Sequence, residues 1–359
     1  MSTRKVRCGD IFIGGGAPVT IQSMTNVDSR DEKALINQIC KLADAGCQIV
    51  RVAVPDMESA QVLGRVKKHV KVPLVADIHF DYRLAIEAIK AGADKIRINP
   101  GNIGSPERIK AVVEAARQRE VPIRVGVNSG SLEKDILQKY GGVTAQGLAE
   151  SALLNLKYIE DMDYGNLVVS IKSSDVVMNY NAHKILTKAT YVPVHIGITE
   201  AGTPSRGKIK SAVGLGALLL EGIGDTMRVS LTADPVEEVK FALEILKSLG
   251  MRKSAINLVS CPTCGRTKIN LQSLAETIET KLAPLEKELE AQGSGGLTIA
   301  VMGCAVNGPG EAREADFGVA GGEGKGLIFA KGEIIKTVAE KDLAEEFLTV
   351  IQNYCRSLK

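Results

Sequence analysis

From Pro18 to about Gly250 the chain repeats one pattern: a short apolar run, then a longer segment with apolar positions at helical spacing. The runs cover residues 19–24, 49–54, 74–79, 95–99, 123–128, 167–172, 194–199 and 227–231. Their length and β-branched content mark strands. The segments between them read as helices, for example residues 31–45, with Ala34, Leu35, Ile39 and Leu42 on one face. Pro73, Pro122 and Pro193 each precede a strand, where a missing N–H costs little. Eight strand-then-helix units predict a TIM (β/α)8 barrel, with a doubly wound open sheet as the structural alternative. The gap between Ser129 and Asn166 leaves room for an extra helix or loop after the fifth strand.

After Gly250 the pattern changes. Residues 256–260 form one more strand, 272–292 a charged amphipathic helix, and 293–296 a Gly-Ser turn. Strands follow at 297–302, at 317–320 and across 327–335, the last a hairpin turning at Lys331-Gly332, before a closing helix from Glu340 to about Tyr354. The organisation expected is a barrel over residues 1–253 and a small α+β domain over 254–359.

Polar side chains interrupt the barrel strands, although buried parallel strands should be almost wholly apolar. They recur with a period of two: Asp77 and His79, Arg97 and Asn99, Arg124 and Asn128, Ser170 and Lys172, Arg228 and Ser230. That period puts each pair on one face of its strand. Most lie in the C-terminal halves, where barrel enzymes carry their sites. Arg51 belongs to the same set, as do His195 and Glu200 on the seventh strand and Gln22 on the first. Arg51, Arg97, Arg124, Lys172 and Arg228 then converge on one mouth, opposed only by Asp77 and Glu200. Burying that excess of cations is too costly unless an anion is normally bound. Arginine forks suit phosphate oxygens, so the ligand expected is small and carries about two phosphate groups. His79 beside Asp77 reads as a proton donor or as a group that orients the ligand.

Chemistry of another kind enters with Cys261-Pro262-Thr263-Cys264 and, about forty residues later, Cys304. No histidine follows His195, so a Cys2His2 zinc site cannot be built here. Three cysteines and a nearby carboxylate suit an iron–sulfur cluster better; a reduced Cys-x-x-Cys with a buried Cys304 is the alternative. Seven scattered cysteines and an N-terminus without a secretory apolar segment point to a reducing cytoplasm. No apolar run is long enough for a transmembrane helix. A net charge of +3, with no basic run interleaved with aromatics, argues against nucleic acid. No G-x-G-x-x-G follows a strand and no Walker sequence is present, which disfavours NAD and ATP.

The stretches VADIHFD (75–81), RINPGNIG (97–104), RVGVNSGSLEK (124–134), GITEAG (197–202), CPTC (261–264) and NGPGE (307–311) together resemble the 4-hydroxy-3-methylbut-2-enyl diphosphate synthase family. The resemblance runs over nearly the whole chain and is to the two-domain bacterial form. It implies a 4Fe-4S cluster held by Cys261, Cys264, Cys304 and the carboxylate of Glu311. It also implies a barrel that binds 2-C-methyl-D-erythritol 2,4-cyclodiphosphate. Electrons from flavodoxin or ferredoxin would open the cyclic diphosphate and expel a hydroxyl as water. In those terms Arg51, Arg97, Arg124, Lys172 and Arg228 hold the diphosphate, with Asn128 and Ser230 as neutral donors. Glu200 delivers the proton, supported by His79 and Asp77. The linker after Gly250 is short and leaves from the end of the last barrel helix. The expectation is therefore a head-to-tail homodimer in which each cluster domain caps the partner's barrel. The rival readings are a zinc-stabilised phosphate-binding lyase or aldolase using Lys172, and a non-catalytic iron–sulfur metabolite sensor.

Overall fold

The computed structural model describes residues 3–292, 296–304 and 312–357. The chain divides into two compact units, Met1–Met251 and Arg252–Lys359.

The first unit opens with an antiparallel hairpin, β1 (Val6–Cys8) and β2 (Ile11–Ile13). Eight further strands follow: β3 (Thr20–Met24), β4 (Ile49–Ala53), β5 (Leu74–Asp77), β6 (Lys95–Ile98), β7 (Ile123–Asn128), β8 (Leu167–Lys172), β9 (His195–Gly197) and β10 (Thr226–Arg228). They pair in parallel in the order β8-β7-β6-β5-β4-β3-β10-β9. A parallel bridge between Val169 and Val194 joins the two ends, with the Val169 N–H donating to the Pro193 carbonyl at 2.9 Å. An open sheet would leave β8 and β9 apart; here they meet, and the sheet is the expected barrel.

Local chemistry starts the helices that alternate with these strands. Asp31, Asp56, Asp81, Asp175 and Asp234 each accept a backbone N–H in the first turn of the following helix. Each cap satisfies a donor that has no partner within the helix. The long gap after β7 holds two helices, Lys134–Tyr140 and Ala145–Glu160. The N-terminal hairpin has no counterpart among the sequence expectations. Its Val6, Cys8 and Ile13 pack with Ile49, Val75 and Val168, near the starts of β4, β5 and β8, and close the bottom of the barrel. Burial pushes the Cys8 thiol up to about 11, so it behaves there as a small apolar group.

The second unit is a five-stranded sheet of β11 (Ile256–Ser260), β12 (Leu297–Met302), β13 (Phe317–Gly321), β14 (Lys325–Ala330) and β15 (Glu333–Ala339) in sequential order. The first three strands are parallel and the last three antiparallel, with Lys331 and Gly332 forming the turn of the final hairpin. Helices Leu271–Ala291 and Leu343–Ser357 supply Ile278, Leu282, Phe347 and Ile351 to a core with Ile299, Val319 and Ile328. This unit is the α+β domain read from the sequence.

Candidate active site

Strand register gathers the charged residues of the barrel. Asp77 aligns with Arg97, Arg97 with Arg124, and Asn128 with Lys172, so side chains from four neighbouring strands share the inner face. Arg51, Arg97, Arg124, Lys172 and Arg228 all line one cavity of about 100 Å³, together with Asp77, His79, Asn128, Ser170 and Ser230. Two strand glycines make room for this crowd. A Cβ on Gly126 would lie 2.6 Å from Arg97 Nε, and one on Gly197 would lie 3.2 Å from Lys172 Nζ. A glycine inside a strand often marks such a close approach, and that signal was available in the sequence.

Asp77 is the hub of the cavity. Arg97 Nη1 donates to its Oδ1 at 3.4 Å, His79 Nε2 lies 3.2 Å from Oδ2, and Arg51 Nε lies 3.9 Å from the same oxygen. Burial alone would raise this carboxyl; Arg51, then the His79 hydrogen bond and Arg97, outweigh it and hold the group well below the usual carboxylate range. With its amide turned to satisfy both neighbours, Asn128 accepts from Arg97 Nη2 at 3.2 Å.

The cations are poorly paired. Arg124 is wholly buried, and its Nε and Nη1 have no hydrogen-bond partner. Arg51 donates through Nε and Nη2 to the Met24 sulfur at 3.0 and 2.9 Å, and Arg228 reaches the same sulfur at 3.6 Å. A thioether is a weak acceptor, so it leaves Arg51 poorly paired, whereas Arg228 also has an ion pair with Glu238 at 3.3 Å. Burial lowers Arg51 to about 10, and burial together with the neighbouring arginines pushes Arg124 and Lys172 well below their ordinary values. Each unpaired buried cation costs several kcal/mol, and a bound anion removes that cost. The arrangement is built to receive a polyanion.

Three sequence expectations shift in the structure. His195 opens the short β9, so it lies deep in the barrel; its Nδ1 is 3.4 Å from Thr226 Oγ1, and burial holds the ring neutral. Gln22 is likewise enclosed, with both amide atoms unpartnered, and does not reach the cavity wall. Glu200 stands on the turn after β9, exposed, with a φ of 51°, and is not among the residues lining the cavity. The second buried carboxylate is Glu238, on the helix Pro235–Ser248, and together with Asp77 it completes the acidic side chains buried among the described residues. Lys95 was also missed. It is fully buried, its ammonium is unpartnered, and burial lowers it to about 8. Its spacing of two from Arg97 could have revealed it.

In the second unit, Cys261 directly follows β11 and Cys304 comes two residues after β12. Those strands are parallel neighbours with Ser260 aligned to Val301, so both cysteines emerge at one end of the sheet. The Gly303 N–H donates to Cys261 Sγ at 3.2 Å, and the Cys261 N–H to the Val301 carbonyl at 3.3 Å. Cys264 is exposed, and hydrogen bonds from Arg266 and Thr267 lower its thiol, which favours the thiolate a soft metal needs. Among the described residues, no three His, Cys, Asp or Glu side chains are close enough together to hold a metal ion. Glu311 lies outside the described residues. Among the described residues the thiols of Cys261 and Cys304 therefore share one sheet end without forming a finished ligand cage.

Residues 3–243 match the GcpE TIM-barrel domain, and residues 257–353 match the GcpE protein C-terminal domain. A relative in Clostridium acetobutylicum, named 4-hydroxy-3-methylbut-2-en-1-yl diphosphate synthase (flavodoxin), is 56% identical over 98% of this chain and 99% of its own length. Its counterpart in Ruminiclostridium cellulolyticum, of the same name, is 54% identical over 97% of each chain. Among solved structures, dihydropteroate synthase from Stenotrophomonas maltophilia superposes with a TM-score of 0.52 at 15% identity, covering 69% of this chain and 97% of that one. That likeness concerns the barrel fold alone. Both units are matched in order, and relatives more than half identical span nearly the whole length, so the protein belongs to the GcpE family.

Proposed function

We propose that the chain is an iron–sulfur oxidoreductase that reductively opens and dehydrates 2-C-methyl-D-erythritol 2,4-cyclodiphosphate to 4-hydroxy-3-methylbut-2-enyl diphosphate. The observation that carries this reading is the excess of buried cations over carboxylates around one cavity at the C-terminal ends of the barrel strands. Ring opening leaves a terminal phosphate that bears an additional negative charge. A mouth already too positive for its own carboxylates favours that product side through electrostatic preorganisation.

In this mechanism Arg51, Arg97, Arg124, Lys172 and Arg228 bind the two phosphates, and Asn128 and Ser230 orient them as neutral donors. Asp77 keeps Arg97 and Arg51 in place and aims His79 into the cavity. Glu200, on the exposed turn after β9, is the proposed proton donor to the departing hydroxyl. Cys261, Cys264 and Cys304, with Glu311, would hold a 4Fe-4S cluster, which when bound would supply electrons one at a time. Flavodoxin is the donor favoured by the relatives' names, and a cytoplasmic location is part of the same proposal. No helix among the described residues is long and apolar enough to cross a membrane.

The active unit is a head-to-tail homodimer. The last barrel helix runs back from the mouth, so the chain leaves the barrel at its base. In the second unit β11 has five residues, which sets Cys261 roughly 15 Å beyond the point where the chain enters. A short tether at the base favours service to a partner's mouth. Mixing an Arg124→Met protein with a Cys264→Ser protein tests this sharing: recovery of activity supports it, and inactivity at every ratio rejects it. Anaerobic purification with iron and sulfide analysis, followed by reductant-dependent consumption of the cyclic diphosphate, tests the reaction itself. A colourless protein that retains stoichiometric zinc would overturn it.

A further inference from the structure

Glu238 takes no part in the mechanism above, yet it is 4% exposed and more heavily bonded than any acid in the cavity wall. It sits in the N-terminal part of the helix Pro235–Ser248, where the helix dipole favours a carboxylate. Its Oε2 accepts from Ser23 Oγ at 3.2 Å and from Arg228 Nε and Nη2, each at 3.3 Å. Its Oε1 accepts the Leu231 N–H at 2.9 Å. One side chain thus joins β3, the end of β10 and the turn beyond it. Two of the three guanidinium nitrogens of Arg228 are engaged by Glu238, and the third, Nη1, points to the Met24 sulfur that Arg51 also uses. A free arginine side chain samples many rotamers. This one is held with a single nitrogen left for a ligand.

We infer that Glu238 is a positioning residue for diphosphate recognition: it fixes the Arg228 guanidinium so that Nη1 faces the phosphate. The inference rests on the reading of the barrel mouth as the diphosphate site. Charge and geometry predict opposite outcomes here, which makes the inference testable. Removing a negative charge beside an anion site should tighten anion binding if Glu238 acts only through its field. If it acts by holding Arg228, binding should weaken.

The test uses purified holoenzyme of wild type, Glu238→Gln, Arg228→Lys and the double variant. It compares KM and kcat for the cyclic diphosphate, the Kd of inorganic pyrophosphate, and thermal unfolding. Glu238→Gln should raise KM and weaken pyrophosphate about tenfold, as expected for a lost charge-assisted contact, with kcat changed less than about threefold. In the Arg228→Lys background the same change should add less than about threefold, because the two residues act as a unit. Unchanged or tighter pyrophosphate binding by Glu238→Gln overturns the inference, as does an equal loss in the Arg228→Lys background. Glu238→Asp, which keeps the charge but retracts it, enters the same cycle if Glu238→Gln does not fold. Failure of wild type to bind pyrophosphate would instead remove the diphosphate reading, and this inference with it.

Discussion

The mouth of the barrel and the cysteine end of the second unit are built on different terms. The mouth is assembled from strands: register alone brings Asp77, Arg97 and Arg124 side by side, and the crowding is such that a Cβ on Gly126 would displace the Arg97 guanidinium. The cysteines sit just past strand ends, on loop segments, with Cys264 exposed and no finished set of three ligands among the described residues. One site is preformed and electrostatically incomplete without its anion. The other brings two cysteines to one sheet end, and under the proposed function a bound cluster would complete it.

That contrast can be broken in order of expected effect. Cys304→Ala should abolish reductive turnover and iron content while leaving pyrophosphate binding by the barrel within about threefold of wild type; loss of both would erase the independence of the two sites. Arg124→Met should do the reverse, lowering kcat/KM by about a thousandfold with cluster absorbance intact, since a buried charge contact to phosphate is worth several kcal/mol. Glu200→Gln should cut kcat roughly a hundredfold with KM little changed, as for a lost general acid. Unaltered turnover would remove Glu200, which is exposed, from proton delivery.

The smallest effect concerns stability. Lys95 is buried and unpartnered, with its pKa lowered to about 8 by burial, then by Arg124 and Arg51, against the opposing pull of Cys8 and Asp94. The unfolded chain holds that proton up to the ordinary lysine range, so between about pH 8 and 10 unfolding takes up a proton. Stability contributed at this site therefore rises with pH across that window. Lys95→Met should stabilise the ligand-free protein by roughly 1–3 kcal/mol at pH 7, with the gain shrinking toward pH 10. Thermal unfolding at the two pH values reads this directly, and a gain that does not depend on pH would mean that Lys95 is paired in solution.

Much of the molecule was legible from the chain. The strand-then-helix count and the Ser129–Asn166 gap both appear as expected, the latter as two helices. The period of two in Arg97, Arg124 and Lys172 signalled the inner face because a strand's alternation is strict. Lys95 obeyed the same rule and was overlooked. The N-terminal hairpin escaped notice because two strands of three residues carry too little periodicity to register.

The sequence alone determined the barrel, the second domain, the set of cations and the three cysteines, because local periodicity and residue chemistry survive without knowledge of neighbours. Only the tertiary structure decided which acids oppose those cations. Glu200 sits in a strand-end motif and is exposed, whereas Glu238 reads as one more charge on an amphipathic helix and is buried against Arg228. Burial depends on what packs above a side chain, contributed by residues far away in the chain, and no local pattern encodes it.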